Sequence, residues 1–344
     1  GKWDLGIHRR YLPLQRGFDT FYGFVNTGID YFTHERYGLP SMYRDNQPTL
    51  EDKGTYATDL FRREAIRFLK ANRHRPFFLY LPFNAPHTAS SLDPRIRGAA
   101  QAPDSYKRMY PHLKPGFDTR EHRGVEVEVP NADKRRLEYL AAVTCMDDAI
   151  GELLDLLDEY QLDRRTIVIF LSDNGGGAGA DNGPLRGGKG QMLEGGIRVP
   201  CIVRWPGQIT PATASDAFLT SLEVFPTLLA AAGLQPPADL VLDGFDMTPV
   251  LAGARRPMEV GRVPQGQRPV RPRTRHRRTT RPCAGQTRRP RTRQSPFQEL
   301  DARDGPGRTA RTVQRLLSAG RPLNEQTLRL VTDDQMPPAH QEWS

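Results

Sequence analysis

The stretch at residues 166–200, TIVIFLSDNGGGAGADNGPLRGGKGQMLEGGIRVP, decides how the chain reads. Its opening run, Ile167 to Leu171, is apolar and rich in β-branched side chains, which predicts a buried strand. The run stops at Asp173 and Asn174, followed by the glycines Gly175 to Gly177. In open α/β sheets, ligands gather beyond the carboxyl ends of the strands. An acid and an amide placed there are hard oxygen donors that suit Ca²⁺ or Mg²⁺. The flanking glycines let backbone approach a ligand closely. Lys189 sits in a second glycine-rich loop and adds a mobile cation. Such a grouping points to a site for an oxyanion ester. Asp-Asn-Gly is also a common turn signature, so the rest of the chain has to separate a site from a plain turn.

Outward from this stretch, strand-like and helix-like segments alternate. Residues 1–6 read as the end of a strand, and residues 31–47 as loop, broken by Gly38, Pro40 and Asn46. Residues 56–72 predict an amphipathic helix, with Leu60, Phe61, Ile66 and Leu69 along one face. A second apolar run at 77–81 predicts a strand that empties into a loop carrying His87. That loop, reaching about Pro130, has the length of a substrate-facing lid. Asn131 is placed to cap a helix over 132–157, where Leu137, Leu140, Val143, Ile150 and Leu153 recur at helical spacing. Strands over 166–171 and 197–203 and a helix near 222–232 complete the pattern. The alternation predicts an α/β fold with a largely parallel central sheet flanked by helices.

Several strings, taken in order, narrow the reading: GKWDLG at 1–6, RGFDTFYGF at 16–24, PFFLYLPFNAPHT at 76–88, MDDAIGELL at 146–154, then SDNGG, LRGGKG, EGGIRVP, and DGFDMTPVLAG at 243–253. Together they resemble the type I sulfatases of the alkaline-phosphatase superfamily, with spacing most like the arylsulfatase B type. The resemblance covers residues 1–254. It implies an alkaline-phosphatase-like fold and hydrolysis of a sulfuric ester. Under it, Lys2 and Lys189 correspond to the lysines that contact the sulfate. His87 corresponds to the active-site histidine that binds the sulfate or protonates the leaving oxygen. Asp173 and Asn174 correspond to two ligands of a calcium ion, with Mg²⁺ as the alternative. Arg186 and Arg198 match no catalytic position and read as structural.

Two features depart from the family pattern. The family's nucleophile is a formylglycine made from Cys or Ser in a C/S-x-P-S/A-R string, and no such string occurs in the 344 residues. The resemblance puts that string upstream of GKW, together with an aspartate pair for the metal. The chain is therefore expected to be an amino-terminally incomplete sulfatase domain, with little or no activity alone. Asp173 and Asn174 by themselves also fall short of the about six oxygens that calcium takes. The second departure is Asp4, which joins the catalytic candidates at a position where most of the family carries a histidine that assists sulfate release. A carboxylate there adds negative charge beside an anionic substrate. Asp4 marks either a divergent subgroup or impaired chemistry.

The implied partner is a sulfated small molecule or a sulfated polysaccharide. The resemblance implies a periplasmic, secreted or lysosomal setting, and the chain itself leaves the compartment open. Two other readings stay open. One is a phosphoryl-ester hydrolase of the same superfamily, since similar scaffolds hold similar tetrahedral oxyanions. The other is a non-catalytic binder of sulfated glycans or other polyanions.

Charge divides the chain near residue 254. Residues 1–254 hold 29 Lys and Arg against 32 Asp and Glu, a net of −3, while residues 255–344 hold 20 against 8, a net of +12. The basic balance thus belongs to the second segment alone. Residues 255–293 contain 14 arginines, no lysine and a single acid, Glu259, with repeated prolines. A segment so poor in apolar residues is expected to be disordered in isolation. Its composition fits a GC-rich gene read out of frame after about Gly253. It has no nucleic-acid-binding motif and no aromatic interleaving for base stacking, so no nucleic acid is expected as a partner. The three cysteines make no disulfide framework. Cys145 and Cys201 are expected in the core, and Cys283 in the basic segment. No run is long enough to span a membrane.

Overall fold

Two helices share the apolar core. A computed structural model describes residues 1–254. The readings made of residues 255–344, Cys283 included, lie outside the described residues. Helix α1, Ala57–Asn72, buries Leu60, Phe61 and Leu69 along one stripe, as its 3.6-residue pattern requires. Helix α3, Ala132–Glu159, begins where Asn131 accepts a hydrogen bond from the Lys134 amide at 2.7 Å. That bond satisfies one of the four amides that a helix start leaves unpaired. Small residues of α3, Ala141 and Ala142, share one apolar cluster with Ala57 and Phe61 of α1 and with Phe24, Ile29, Tyr31 and Met42. A second cluster joins Leu69 of α1 to Leu153, Leu154 and Leu157 of α3. Burying each such side chain contributes about 1.5–3 kcal/mol.

The sheet departs from expectation. Strands β1 (Tyr22–Phe24), β4 (Met42–Arg44) and β5 (Gln47–Pro48) form a small antiparallel sheet in the order β1-β4-β5. Strands β2 (Glu35–Arg36) and β3 (Leu39–Pro40) pair antiparallel between them, so the region read as loop over 31–47 carries short strands. The long segment after His87 is not bare loop. It contains α2 (Asp104–Lys107) and a hairpin of β6 (Phe117–His122) and β7 (Val125–Pro130). The hairpin turn, Arg123 and Gly124, has both φ angles positive (54° and 78°), the conformation whose twist matches that of the strands.

Strand β8 (Val168–Leu171) pairs antiparallel with β9 (Cys201–Arg204). Residues 77–81 carry no strand ladder. Among the described residues, the parallel pairing is a single bridge between Lys2 and Phe24. A largely parallel central sheet is therefore not what these residues form. The second strand is also shorter than the 197–203 expected, because Glu194–Ile197 coils into a helical turn, α4, before it.

Period-2 alternation still operates on β8 and β9. Val168, Phe170 and Ile202 pack on the second cluster, beside Phe77, Leu79 and Leu81. Leu171 and Cys201 are cross-strand partners on the other face and are exposed. Cys145 is buried as expected, and Cys201 is not. The run 167–171 is apolar on both faces, yet only one is covered among the described residues, so β8 is half-buried.

Residues 1–213 form one compact unit, and the described residues from 214 onward belong to a second. In the second, the turn Ser221–Glu223 leads into α5 (Val224–Ala231), started by a capping box in which Thr220 and Glu223 satisfy each other's backbone amides. The buried Thr227 hydroxyl donates to Glu223 O at 2.6 Å and accepts from the Met247 amide at 2.9 Å, which ties α5 to α6 (Thr248–Leu251). No described helix is long and apolar enough to cross a membrane.

Candidate active site

Lys2 is placed by backbone. The Lys2 amide donates to Pro82 O at 2.8 Å, the Trp3 amide to Phe24 O at 3.0 Å, and the Phe24 amide to Gly1 O at 3.1 Å. The opening residues thus run between β1 and the segment leading to His87. Glycine is required at this crossing, because a Cβ on Gly23 would sit 2.1 Å from Gly1 O. Trp3 locks the strand end: its indole N–H donates to Tyr11 O at 2.6 Å, and its ring meets Phe18 edge-on at 5.5 Å. Lys2 itself is largely buried, its side chain 17% exposed. Its Nζ lies 3.8 Å from Asp4 Oδ2 and 3.7 Å from Asp173 Oδ2.

His87 belongs to a loop hung from the core. The Tyr31 side chain, fully buried and stacked on Tyr56 at 5.5 Å, donates its hydroxyl to His87 O at 2.7 Å and also reaches Asn84 O at 3.1 Å. The His87 amide closes the turn on Asn84 O at 2.7 Å. The imidazole Nδ1 lies 2.7 Å from Thr88 O. A carbonyl can only accept, so Nδ1 carries the proton and Nε2 presents its lone pair. Gly28 packs on the ring, where a Cβ would come within 3.1 Å of Cε1. Burial pushes the imidazole pKa down, and Lys189 and Lys2 push it further, against opposing contributions from the Thr88 carbonyl and Asp173. His87 is therefore neutral at rest.

Asp173 and Asn174 follow β8, and the glycine loops behind them are sewn together by an amide. Asn182 Oδ1 accepts from the Gly176 amide at 2.8 Å, while its Nδ2 donates to Gly176 O at 3.2 Å and Gly187 O at 3.1 Å. The Gly175 amide donates to Gly196 O at 2.9 Å, and the Lys189 amide to Gly176 O at 3.0 Å. A Cβ on Gly175 would fall 1.9 Å from Gly195 O, so only glycine lets the two loops touch. Asn174 Nδ2 donates to Gly175 O at 3.0 Å, which leaves its Oδ1 able to accept or ligate. The Asp173 side chain is 67% exposed.

The structure thus brings Lys2, Asp4 and Asp173 together directly. His87 and Lys189 belong to the same group, since the His87 imidazole feels the charges of Lys189, Lys2 and Asp173. Asn174 adjoins them along the chain. The Tyr80 phenol also feels Asp173 and Asp4, which together with burial raises its pKa. Arg186 and Arg198 stay outside: the Arg186 carbonyl accepts from the Gly195 amide, and Arg198 pairs with Glu194 at 3.6 Å. Asp173 Oδ and Asn174 Oδ1 are the donors that suit a hard cation. Among the described residues, no group of three or more acidic, histidine or cysteine side chains gathers for a metal. The fit to calcium is therefore partial: these two side chains offer fewer oxygens than the about six that calcium takes. Tyr31, Asn84, Gly28 and Asn182 escape a reading by motif. The last was open to inference, because closely packed glycine loops leave backbone amides that need a polar side chain to satisfy them.

The group combines two lysines, an imidazole and hard oxygen donors. A family model, Sulfatase, matches residues 1–234. The chain belongs to the sulfatase family. It is 31% identical over 273 residues to N-acetylgalactosamine-6-sulfatase of Homo sapiens, covering 74% of this chain and 46% of that protein. It is 32% identical over 268 residues to arylsulfatase J of Mus musculus, covering 75% of this chain and 40% of that one. Among solved structures, Ps i-CgsB in complex with k-i-k-neocarrahexaose is similar, with a TM-score of 0.60 and 32% identity over 73% of this chain and 53% of that one. The chain spans about half the length of the curated relatives it matches.

Proposed function

We propose that residues 1–254 are the part of a sulfuric ester hydrolase that grips the sulfate group, and that the segment 255–344 takes no part in it. The observation that carries the reading is the position of Lys2 Nζ, 3.7 Å from Asp173 and part of the charge group that surrounds His87. Lys2 and Lys189 would neutralise the sulfate oxygens as charge develops on them. Asp173 and Asn174 would hold Ca²⁺, or Mg²⁺, jointly with oxygens from elsewhere. The cation, when bound, polarises the sulfuryl oxygens. His87 is neutral at rest with Nε2 free, and an arriving anion raises its proton affinity. The imidazole would thus take up a proton as the ester binds and hold it for the departing alkoxide or phenoxide oxygen. The ester bond breaks between sulfur and that oxygen.

The C/S-x-P-S/A-R string is absent from the 344 residues. Formylglycine would supply the attacking oxygen, so this chain alone is proposed to bind the ester without turning it over. The relatives include an N-acetylgalactosamine-6-sulfatase and an arylsulfatase, so the proposed ligand is a sulfated saccharide or a sulfated small molecule. The test is binding of phenyl sulfate to the 344-residue protein in calcium buffer, with 4-nitrophenyl sulfate turnover measured alongside. We expect binding that falls at least about tenfold in K2A, the loss of one charge-assisted contact, with turnover at the background rate. Binding indifferent to Lys2, or turnover that survives H87A, would remove the proposal.

A further inference from the structure

The least expected side chain in the site is Asp4, an acid placed where an anion has to bind. We propose that Asp4 is a specificity-determining residue, whose carboxylate beside Lys2 selects monoanionic tetrahedral esters over dianionic ones. The proposal rests on the oxyanion-site reading above and names the chemical class that the site takes.

The backbone presents this carboxylate. The extended run that places Lys2 breaks immediately after Trp3, where Asp4 adopts φ 67° and Gly6 φ 108°. Aspartate and asparagine enter this left-handed region more readily than most residues. The turn folds Asp4 back until Oδ2 lies 3.8 Å from Lys2 Nζ. The same ammonium lies 3.7 Å from Asp173. Lys2 is therefore held between two carboxylates. Asp173 is also a hard donor for a cation, whose charge would offset its own. Asp4 has Lys2 as its one ion-pair partner among the described residues.

An oxyanion that engages Lys2 meets Asp4 one ammonium away. Attraction to Lys2 and Lys189 grows with ligand charge and by itself favours a dianion. Repulsion from Asp4 grows with the same charge and takes that advantage back. The two ester classes of matching shape differ in this property: a sulfate monoester carries one negative charge at neutral pH, whereas a phosphate monoester approaches two above its second pKa of about 6. The Asp4 side chain is 45% exposed, so a water-like dielectric applies. At roughly 6 Å in that dielectric, one carboxylate weakens a monoanion about threefold and a dianion about tenfold.

The experiment compares phenyl sulfate and phenyl phosphate at pH 8, by calorimetric titration of the 344-residue protein and of D4N, D4E and K2A. Asparagine keeps the shape and tolerates the backbone angle, and D4E returns the charge as a control. We expect D4N to tighten phenyl sulfate about threefold and phenyl phosphate about tenfold, a ratio that moves about threefold toward phosphate and shrinks with added salt. D4E should hold the ratio near that of the unsubstituted protein. Equal tightening of both ligands, no change, or weaker binding of either in D4N overturns the role of Asp4, even when K2A abolishes binding. If neither ligand binds the unsubstituted protein, or K2A leaves binding intact, the oxyanion site falls and the selectivity falls with it.

Discussion

His87 and Asp173 contribute to one cluster of charges from loops built on opposite plans. The His87 loop hangs from the core: the fully buried Tyr31, stacked on Tyr56, holds the carbonyls of Asn84 and His87, and Asn84 is only 2% exposed. The loops around Asp173 and Lys189 hang mainly from each other, through Asn182 and through glycine backbones in direct contact. Asp173 and Lys189 themselves are exposed. One half of the site is thus fixed by apolar burial. The other is fixed by hydrogen bonds among glycines, which carry more conformational freedom in the unfolded chain and cost more entropy to order. The difference suits the proposed division of labour: an imidazole that has to be desolvated and aimed, and an acid, an amide and a lysine that stay reachable from solvent.

The contrast can be broken at either end. Tyr31→Ala removes a fully buried aromatic ring and should cost about 3–5 kcal/mol of global stability in urea unfolding. Tyr31→Phe keeps the ring and strips His87 O of its donor, leaving Asn84 O with the His87 amide alone, at about 1–3 kcal/mol. Gly175→Ala drives a methyl group into Gly195 O. It should cost about 1–3 kcal/mol while abolishing phenyl sulfate binding, since the loops cannot separate without moving Asp173 and Lys189. Asn182→Ala orphans the Gly176 amide and the Gly187 carbonyl, while Gly176 O keeps the Lys189 amide, at about 1–2 kcal/mol. Its effect should appear as faster hydrogen exchange across 175–189, with the His87 amide unchanged. If exchange at His87 accelerates equally, the two halves are one cooperative unit and the contrast is wrong.

The smallest expected effect is on pH dependence. Burial lowers the pKa of both His87 and His34, the latter with Nε2 2.8 Å from Thr55 O. Below about pH 6.5 the unfolded chain takes up protons that these folded imidazoles refuse. Stability should therefore be level above that value and decline as pH falls beneath it. Denaturant midpoints at pH 7.5 and 5.5 test this. H34N should flatten part of the decline and H87N the remainder, and a decline identical in both variants would assign it to carboxylates instead.

The helices were legible because their signal is local. The stripe Leu60, Phe61 and Leu69 and the Asn131 cap are set by neighbours within four residues, and α1 and α3 lie within two residues of their expected bounds. The sheet was less so. An apolar run such as 167–171 announces burial without naming a partner, and the antiparallel pairing of β8 with β9, across a glycine-rich excursion, depends on contacts that no local pattern encodes. The exposure of Cys201 follows from that pairing, because the register decides which face each side chain takes.

The sequence by itself determined which chemistry is available: Lys2, Asp4, His87, Asp173, Asn174 and Lys189 stand in strings whose order marks the family. Only the tertiary structure decided what those groups do to one another. It set Lys2 between two carboxylates, fixed His87 as a neutral Nδ1–H imidazole, and hung one loop from Tyr31 and the other from Asn182. The physical reason is range. Residue type and helical period act over a few positions along the chain, while charge coupling and desolvation act through space between residues more than a hundred positions apart.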